Sequence, residues 1–329
     1  MRSFLKNRNN KFSYYFNGHF KRLYPKKLLT LNLDKLHKKI KDVDKSKLYQ
    51  RLDYYYKNPY DFLLNDKFAI NYEFEYWRLS MIKDISKKHG VYYLDLIEYA
   101  RFFPQEFKVA YLFGDITKVP EIPTLTKSRP VRKNNNSVLM NFDKVRHFYF
   151  IKKDIPFEMK KNKLIWRGAV FQPHRIKFMK QFFNKSSIID VGDFNKSGKN
   201  YNKDWRVPFM SIEEQLQYKF ILSIEGNDVA TSTKWIMSSN SLCFMTRPKF
   251  ETWFMEGKLI PNYHYVLIKD DYSDLEEKIY YYSFNKLEAK KIVHNANKYI
   301  SQFKSQESED WLQLKILERY FKFSGQIEK

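Results

Sequence analysis

One stretch constrains the fold of this chain more than any other: Gln217 to Pro248, QYKFILSIEGNDVATSTKWIMSSNSLCFMTRP. Phe220 to Ile224 is an apolar, β-branched run that stops at Glu225-Gly226, where glycine lets the backbone turn or approach a ligand closely. Asn227 and Asp228 form turns, Thr231, Ser232 and Thr233 are helix N-cap types, and Lys234-Trp235-Ile236-Met237 reads as a short helix before a second strand, Ser241 to Met245. Strand, loop, helix, strand is a βαβ unit. A helix that starts at the carboxyl end of a buried parallel strand presents unpaired N–H groups and a positive dipole end, and Lys234 adds a full charge, so the turn suits a phosphate. An ordinary βαβ unit with a well-capped helix satisfies the same spacing. Neither G-x-G-x-x-G nor G-x-x-x-x-G-K-[ST] occurs, so no dinucleotide fingerprint and no P-loop is present.

At 329 residues the chain is long enough for two domains, each with its own core. Hydrophobic residues make up 43% and aromatics 18%, too apolar for a disordered chain. The single cysteine, Cys243, lies within the second apolar strand, so it forms no intramolecular disulfide and reads as a buried thiol of a reducing compartment. The opening residues MRSFLKNRNNK lack the apolar core of a secretion signal, and no run approaches the roughly 18 apolar residues of a membrane span. Sixty Lys and Arg against 37 Asp and Glu give a net charge of +23, which attracts polyanions: nucleic acid, anionic lipid headgroups or phosphorylated glycans. Lys6 to Lys27 is dense in basic and aromatic residues, and reads either as a segment lying on an anionic membrane or as a solvated basic face.

In chain order, helical spacing predicts helices over Leu31 to Ile40 and Ser46 to Lys57. The one D-x-D triplet, Asp42-Val43-Asp44, lies between them in a polar connector with no apolar strand before it, so it reads as a surface turn rather than a metal site. Phe68 to His89 is helical in parts, Val91 to Leu94 reads as a strand, Asp95 to Phe103 as a helix closed by Pro104, and Phe107 to Phe113 as a strand ending at Gly114-Asp115. The alternation is that of an α/β fold. Asp115 therefore stands at the carboxyl end of a strand, where open α/β sheets hold ligands, and is a candidate general base; a turn or capping aspartate is the alternative. Thr117 to Pro130 carries three prolines and must be extended, offering Lys127, Ser128 and Arg129 to an anion. Arg146 to Ile151 reads as an aromatic strand, and 152–163 as the linker between domains. Leu164 to Gly168 is a strand, and Pro173 starts a helix through Phe183. Arg167 and Arg175 either face a diphosphate together or flank a loop on the surface. Lone histidines such as His147, His174 and His264 read as structural, with no Cys/His cluster for a metal. The last stretch, Glu309 to Phe323, is amphipathic.

These residues, in order, resemble glycosyltransferase family 90, which includes bacterial lipopolysaccharide and lipooligosaccharide core glycosyltransferases, fungal capsule xylosyltransferases and eukaryotic protein O-glucosyltransferases. The resemblance runs over about Val91 to Phe303. It is carried by Phe113-Gly114-Asp115 with Lys127-Ser128-Arg129-Pro130, by Asn136 to Leu139 and Arg146-His147-Phe148, by Trp166-Arg167-Gly168 with Arg175, by Tyr218-Lys219-Phe220 leading to Glu225-Gly226, and by Pro261 to Val266 followed by Ser273-Asp274-Leu275. It implies an α/β, GT-B-like fold of two Rossmann-like domains facing a cleft: an acceptor domain over 1–155, a donor domain over 156–303, and a C-terminal helix over 304–329 crossing between them. It further implies inverting transfer of a hexose, glucose or galactose, from a UDP-sugar to a sugar hydroxyl of a lipopolysaccharide or lipooligosaccharide core, with no cofactor and no metal.

Carried over by position, Asp115 is the catalytic base. Arg167, Gly168, Arg175, Glu225, Gly226, Asn227, Thr231, Ser232, Lys234 and Arg247 border the donor, and Lys127, Ser128, Arg129 and His147 the acceptor. Ser232 stands where many members have arginine, which shifts diphosphate binding to Lys234, the helix start or Arg247. Charge and resemblance together place the protein in the cytoplasm, peripheral at the anionic inner membrane. The rival reading is a basic nucleic-acid-binding protein without catalysis; no RNP-type, KH, zinc-finger or helix-turn-helix signature supports it, and no specific nucleic acid is expected as a partner.

Overall fold

The computed structural model describes residues 13–16, 18, 44–64, 77–195 and 202–328. Within them the chain runs α1 (Lys45–Tyr55), β1 (Trp77–Met81), α2 (Gly90–Ala100), β2 (Lys108–Leu112), β3 (Thr124–Thr126), β4 (Ser128–Pro130), β5 (Ser137–Leu139), α3 (Lys144–His147), β6 (Lys161–Gly168), α4 (Pro173–Phe182), β7 (Ile189–Asp193), α5 (Ile212–Gln215), β8 (Tyr218–Leu222), α6 (Thr233–Met237), β9 (Leu242–Met245), β10 (Phe250–Thr252), β11 (Val266–Leu267), α7 (Leu275–Phe284), α8 (Lys286–Ser301) and α9 (Gln306–Phe323). The mixed α/β class expected from the alternation is the class observed. The helix read over Leu31 to Ile40 and most of the basic Lys6 to Lys27 segment lie outside the described residues.

Contacts divide the chain into two compact units: one comprises the described residues up to Arg146 with Lys249–Gly257 and the segment from Phe303 onward, the other His147–Pro248 with Lys258–Gln302. The first unit is built on a four-stranded sheet, β1-β2-β3-β5, in which β1 runs antiparallel and the other three are parallel. A two-stranded antiparallel ribbon, β10 on β4, adds to it. Helix α9 belongs here: the Tyr320 hydroxyl accepts from Ala110 N and donates to Pro123 O, and Phe321 packs on Phe103 and Phe107. Asp44 caps α1, accepting from the amides of Ser46 and Lys47, so this half of the D-x-D triplet is occupied by a helix N-terminus.

The second unit holds a five-stranded parallel sheet in the order β11-β9-β8-β6-β7. In chain order this is the 2-1-3-4-5 winding of flavodoxin-like sheets, with its switch point between β6 and β8. Alternate residues explain its core: Leu164 and Trp166 of β6, Phe220 and Leu222 of β8, and Leu242 and Phe244 of β9 share a cluster with Phe178 and Met179 of α4 and Ile279 and Ile292 of α7 and α8. Cys243 points the other way, is buried, and has its thiol pushed up by desolvation.

Three expectations about local structure are corrected. Val91 to Leu94 is not a strand but the first part of α2, whose buried Tyr93, Leu96, Ile97 and Ala100 recur at helical spacing. Within the stretch Phe68 to His89, expected to be helical in parts, Trp77–Met81 is a strand, because it pairs along its whole length with β2. Arg146 to Ile151 forms no strand: Lys144–His147 is helical, and Ile151 N donates to the Ser238 hydroxyl at 2.9 Å instead of to a neighbouring strand.

Candidate active site

In the first unit, three parallel strands end side by side. Phe113 and Gly114 carry the chain past β2, and Gly114 adopts φ +115°, a region open to glycine, which turns Asp115 onto the carboxyl edge. Lys127 follows the neighbouring strand β3, in register with that edge because Leu112 lies opposite Thr126. The two side chains form an ion pair in which Lys127 is 1% and Asp115 30% exposed. The ammonium is thus enclosed and the carboxylate is the part that solvent reaches. Ser128 supports the turn from below: its hydroxyl accepts from Ile116 N at 2.9 Å and donates to Ile116 O at 3.2 Å.

Arg129 was expected beside an acceptor, but its guanidinium is fully buried and given to the fold. Nε donates to Glu251 at 2.8 Å, Nη1 to Tyr55 O and Ser137 O, and Nη2 to Tyr54 O. This hub ties β4 to β10 and α1, and a ligand has no access to it. His147, at the end of α3, is likewise enclosed, 1% exposed.

In the second unit the switch point gathers a cationic corner. Arg175, on the first turn of α4, donates from Nε to Glu225 O (2.9 Å), from Nη2 to Ile224 O (2.8 Å) and from Nη1 to Ala169 O (2.9 Å). It therefore clamps the loop after β6 to the loop after β8. Three of the five N–H groups of the guanidinium are used in this way. Burial lowers its pKa, and the nearby Tyr272 and Asp193 offset that in part. His174 Nε2 bonds Glu225 O at 2.9 Å and Gln172 donates to Asn227 Oδ1 at 3.0 Å. Helix α4 starts with Pro173, and Gln172 gives it no side-chain cap, so its dipole end faces this corner unscreened.

The remaining donor candidates fall into two groups. Gly226 lines the corner, with Arg175 Nη2 3.6 Å from where a Cβ would stand, and Asn227, Thr231 and Arg247 are exposed on the same carboxyl edge, after β8 and β9. Arg167 and Arg175 are not brought together. Arg175 stacks over Trp166 on one face of β6, whereas Arg167, the next residue along the strand, projects from the other face and pairs with Asp190 at 2.7 Å. Gly168 is required by packing, since a Cβ would lie 2.3 Å from the Trp166 ring. Lys234 is fully buried within the five-residue helix α6, its ammonium over the Phe148 ring, and Ser232, in αR conformation, makes no side-chain cap. The helix expected from Pro173 is present as α4 and carries Arg175, while His174 and Gln172, which were not named as donor residues, contact the loop after β8. The available signal was Pro173 directly after a strand-ending Arg-Gly.

The second unit is thus a doubly wound parallel sheet of the α/β class, with an uncapped helix start and an arginine at its switch point. The comparisons make the class specific. The profile of Glycosyl transferase family 90 matches residues 141–325. An O-glucosyltransferase, LpsA, of Dichelobacter nodosus is 46% identical over 238 residues, 71% of this chain and 73% of that protein. Protein O-glucosyltransferase 2 of Danio rerio is 26% identical over 140 residues, 42% of this chain and 28% of the relative. The chain belongs to glycosyltransferase family 90 and is a transferase acting between a sugar donor and an acceptor. Among the described residues no helix is long and apolar enough to cross a membrane.

Proposed function

We propose that the protein is an inverting glucosyltransferase that moves glucose from UDP-glucose to a sugar hydroxyl of a bacterial lipopolysaccharide or lipooligosaccharide core. The observation that carries this reading is the similarity over most of the chain to an O-glucosyltransferase, together with a part-exposed carboxylate, Asp115, on the carboxyl edge of the first unit's sheet. In this reading the two units are the acceptor and donor halves of a GT-B enzyme. Asp115 takes the proton of the acceptor hydroxyl as its oxygen attacks the anomeric carbon; the bond from that carbon to the diphosphate oxygen breaks, and configuration inverts. Lys127 orients the carboxylate through its ion pair.

The charge that develops on the leaving UDP is met by the Arg175 fork and the start of α4, with Arg247 on the same edge. No metal enters this scheme. Lys234 and Arg167 act behind this corner, the first beneath the α6 turn and the second by holding β6 to β7 through Asp190. The acceptor is acidic and membrane-borne, which suits a chain of charge +23 working from the cytoplasmic side as a peripheral protein. Calorimetric titration with UDP, UDP-glucose, UDP-galactose and UDP-N-acetylhexosamines in the presence of EDTA tests the donor half. Saturable binding of UDP and UDP-glucose is expected; a folded protein that binds none of them overturns the reading.

A further inference from the structure

The corner between α7 and α8 is a surface that the transfer reaction does not use. Helix α7 ends at Phe284 and α8 begins at Lys286, with Asn285 alone between them. Ile279, Tyr282 and Ser283 are buried, yet Tyr280 is 53%, Tyr281 48%, Phe284 83% and Leu287 86% exposed. Four large apolar side chains within eight residues therefore stand in solvent at one helix corner, and such clusters on soluble domains mark interaction sites.

The helix that follows is amphipathic in a particular way. Ala289, Ile292, Val293, Ala296 and Ile300 face the core. Leu287, Lys291, His294 and Lys298, at i, i+4, i+7 and i+11, form the exposed stripe. No acid interrupts the stripe. Beside it, Glu288 accepts from the Tyr281 hydroxyl at 2.8 Å and Glu158 from Lys290 at 2.6 Å, while the exposed Glu276 and Glu277 stand in the first turn of α7.

We propose that this corner and stripe form a membrane-docking face, with Phe284 and Leu287 entering the acyl boundary of an anionic bilayer while Lys291, Lys298 and His294 meet its headgroups. Charge complementarity selects the occupant. A second copy of the chain placed symmetrically on this face sets the same lysines against one another. Nucleic acid matches the lysines but leaves Leu287 without a partner, since an aliphatic side chain offers no stacking face. The face rests on the proposed peripheral-membrane reading and names its surface, while none of its residues belongs to the donor corner or to the edge that carries Asp115.

The test is co-sedimentation of the full chain with vesicles of phosphatidylglycerol and phosphatidylethanolamine, with phosphatidylcholine vesicles as control. The parent is expected to partition onto the anionic vesicles only. Phe284→Ser/Leu287→Ser is expected to weaken partitioning by about tenfold, and Lys291→Ala/Lys298→Ala by roughly twenty-fivefold, about fivefold per lysine. Because all four side chains are exposed, thermal melting and transfer to a soluble acceptor should stay at the parent's level. The proposal is overturned if the parent ignores anionic vesicles, or if both variants bind them as the parent does. It is also overturned if Phe284→Ser/Leu287→Ser turns an oligomeric parent into a monomer with vesicle binding intact, which would make the corner a contact between copies.

Discussion

Replacing Asp115 by asparagine separates the chemical and structural roles that the ion pair gives this residue. Asparagine keeps the shape and removes the charge, so the proposed base is lost together with the ion pair to Lys127. General-base assistance contributes about 10²–10⁴-fold, so kcat should fall by that factor, or roughly 3–5 kcal/mol of barrier. Stability changes as well. Breaking a fully buried pair costs about 3–5 kcal/mol. Asp115 is 30% exposed while Lys127 is 1% exposed, so screening reduces the cost to roughly 1–3 kcal/mol. For a unit of this size that lowers the melting temperature by roughly 2–10 °C.

Adding Lys127→Met removes the enclosed ammonium that Asp115 no longer faces, and the double variant should recover part of the lost melting temperature while staying inactive. Transfer is assayed by chromatography of the glycosylated acceptor, melting by calorimetry, and donor binding by titration with UDP, which should remain near the parent's value. A folded Asp115→Asn protein that transfers sugar as fast as the parent refutes the assignment of the base. Double-variant activity would refute it equally.

Other perturbations address the corner and the core. Gly226→Ala meets only ordinary contacts, 3.6 Å to Arg175 Nη2 and 3.7 Å to Val229 O, so melting should shift by no more than about 0.5 kcal/mol, while UDP affinity falls by roughly tenfold as the methyl crowds the fork. Gly114→Ala has space but φ +115°, so it should cost at least about 1–2 kcal/mol and reduce kcat by displacing Asp115, as read in melting and transfer assays. Arg129→Met takes the nearest cation from the fully buried Glu251, leaving it Lys57 at 4.0 Å and the Tyr54 and Asn134 hydrogen bonds, and should cost up to about 3–5 kcal/mol in denaturant unfolding, with a large part restored by Arg129→Met/Glu251→Leu. Asp95, enclosed beside Lys144 and Tyr14, is pushed up to about 6 by burial. A raised folded pKa means that its contribution is fully present below the unfolded value near 4 and is lost as pH rises through about 6. Relative to Asp95→Asn, the parent should therefore lose stability across that window, and melting curves that keep a constant difference would contradict this.

Local patterns carried much of the second unit's βαβ alternation in advance. Leu164 to Gly168, Ile188 to Gly192, Phe220 to Ile224 and Ser241 to Met245 are short, mostly apolar runs, and all four overlap strands of the parallel sheet, because a sheet covered on both faces needs such runs. The same logic failed for Val91 to Leu94, where four apolar residues fit a strand or a helix equally and only the spacing of Tyr93, Leu96, Ile97 and Ala100 decides. At the site, the position of Asp115 past a strand end was legible from Gly114, but its pairing with Lys127 depends on β2 and β3 being parallel neighbours, which no local pattern states. Arg129 and Arg167 looked like ligand contacts because an arginine beside a loop has the same sequence signature whether it faces solvent or, as here, Glu251 and Asp190. Arg175 and Glu225 were grouped only through the family resemblance; strand order, not sequence order, makes β6 and β8 neighbours and so brings the two together.

The central claim is tested most directly by incubating the purified protein with UDP-glucose and a lipooligosaccharide core lacking its terminal hexose, and reading the product by mass spectrometry and by the anomeric coupling in NMR. The account predicts one added glucose in β linkage, formed from the α-linked donor and absent with Asp115→Asn. A product of retained α configuration, or transfer from a different nucleotide sugar with none from UDP-glucose, would contradict it.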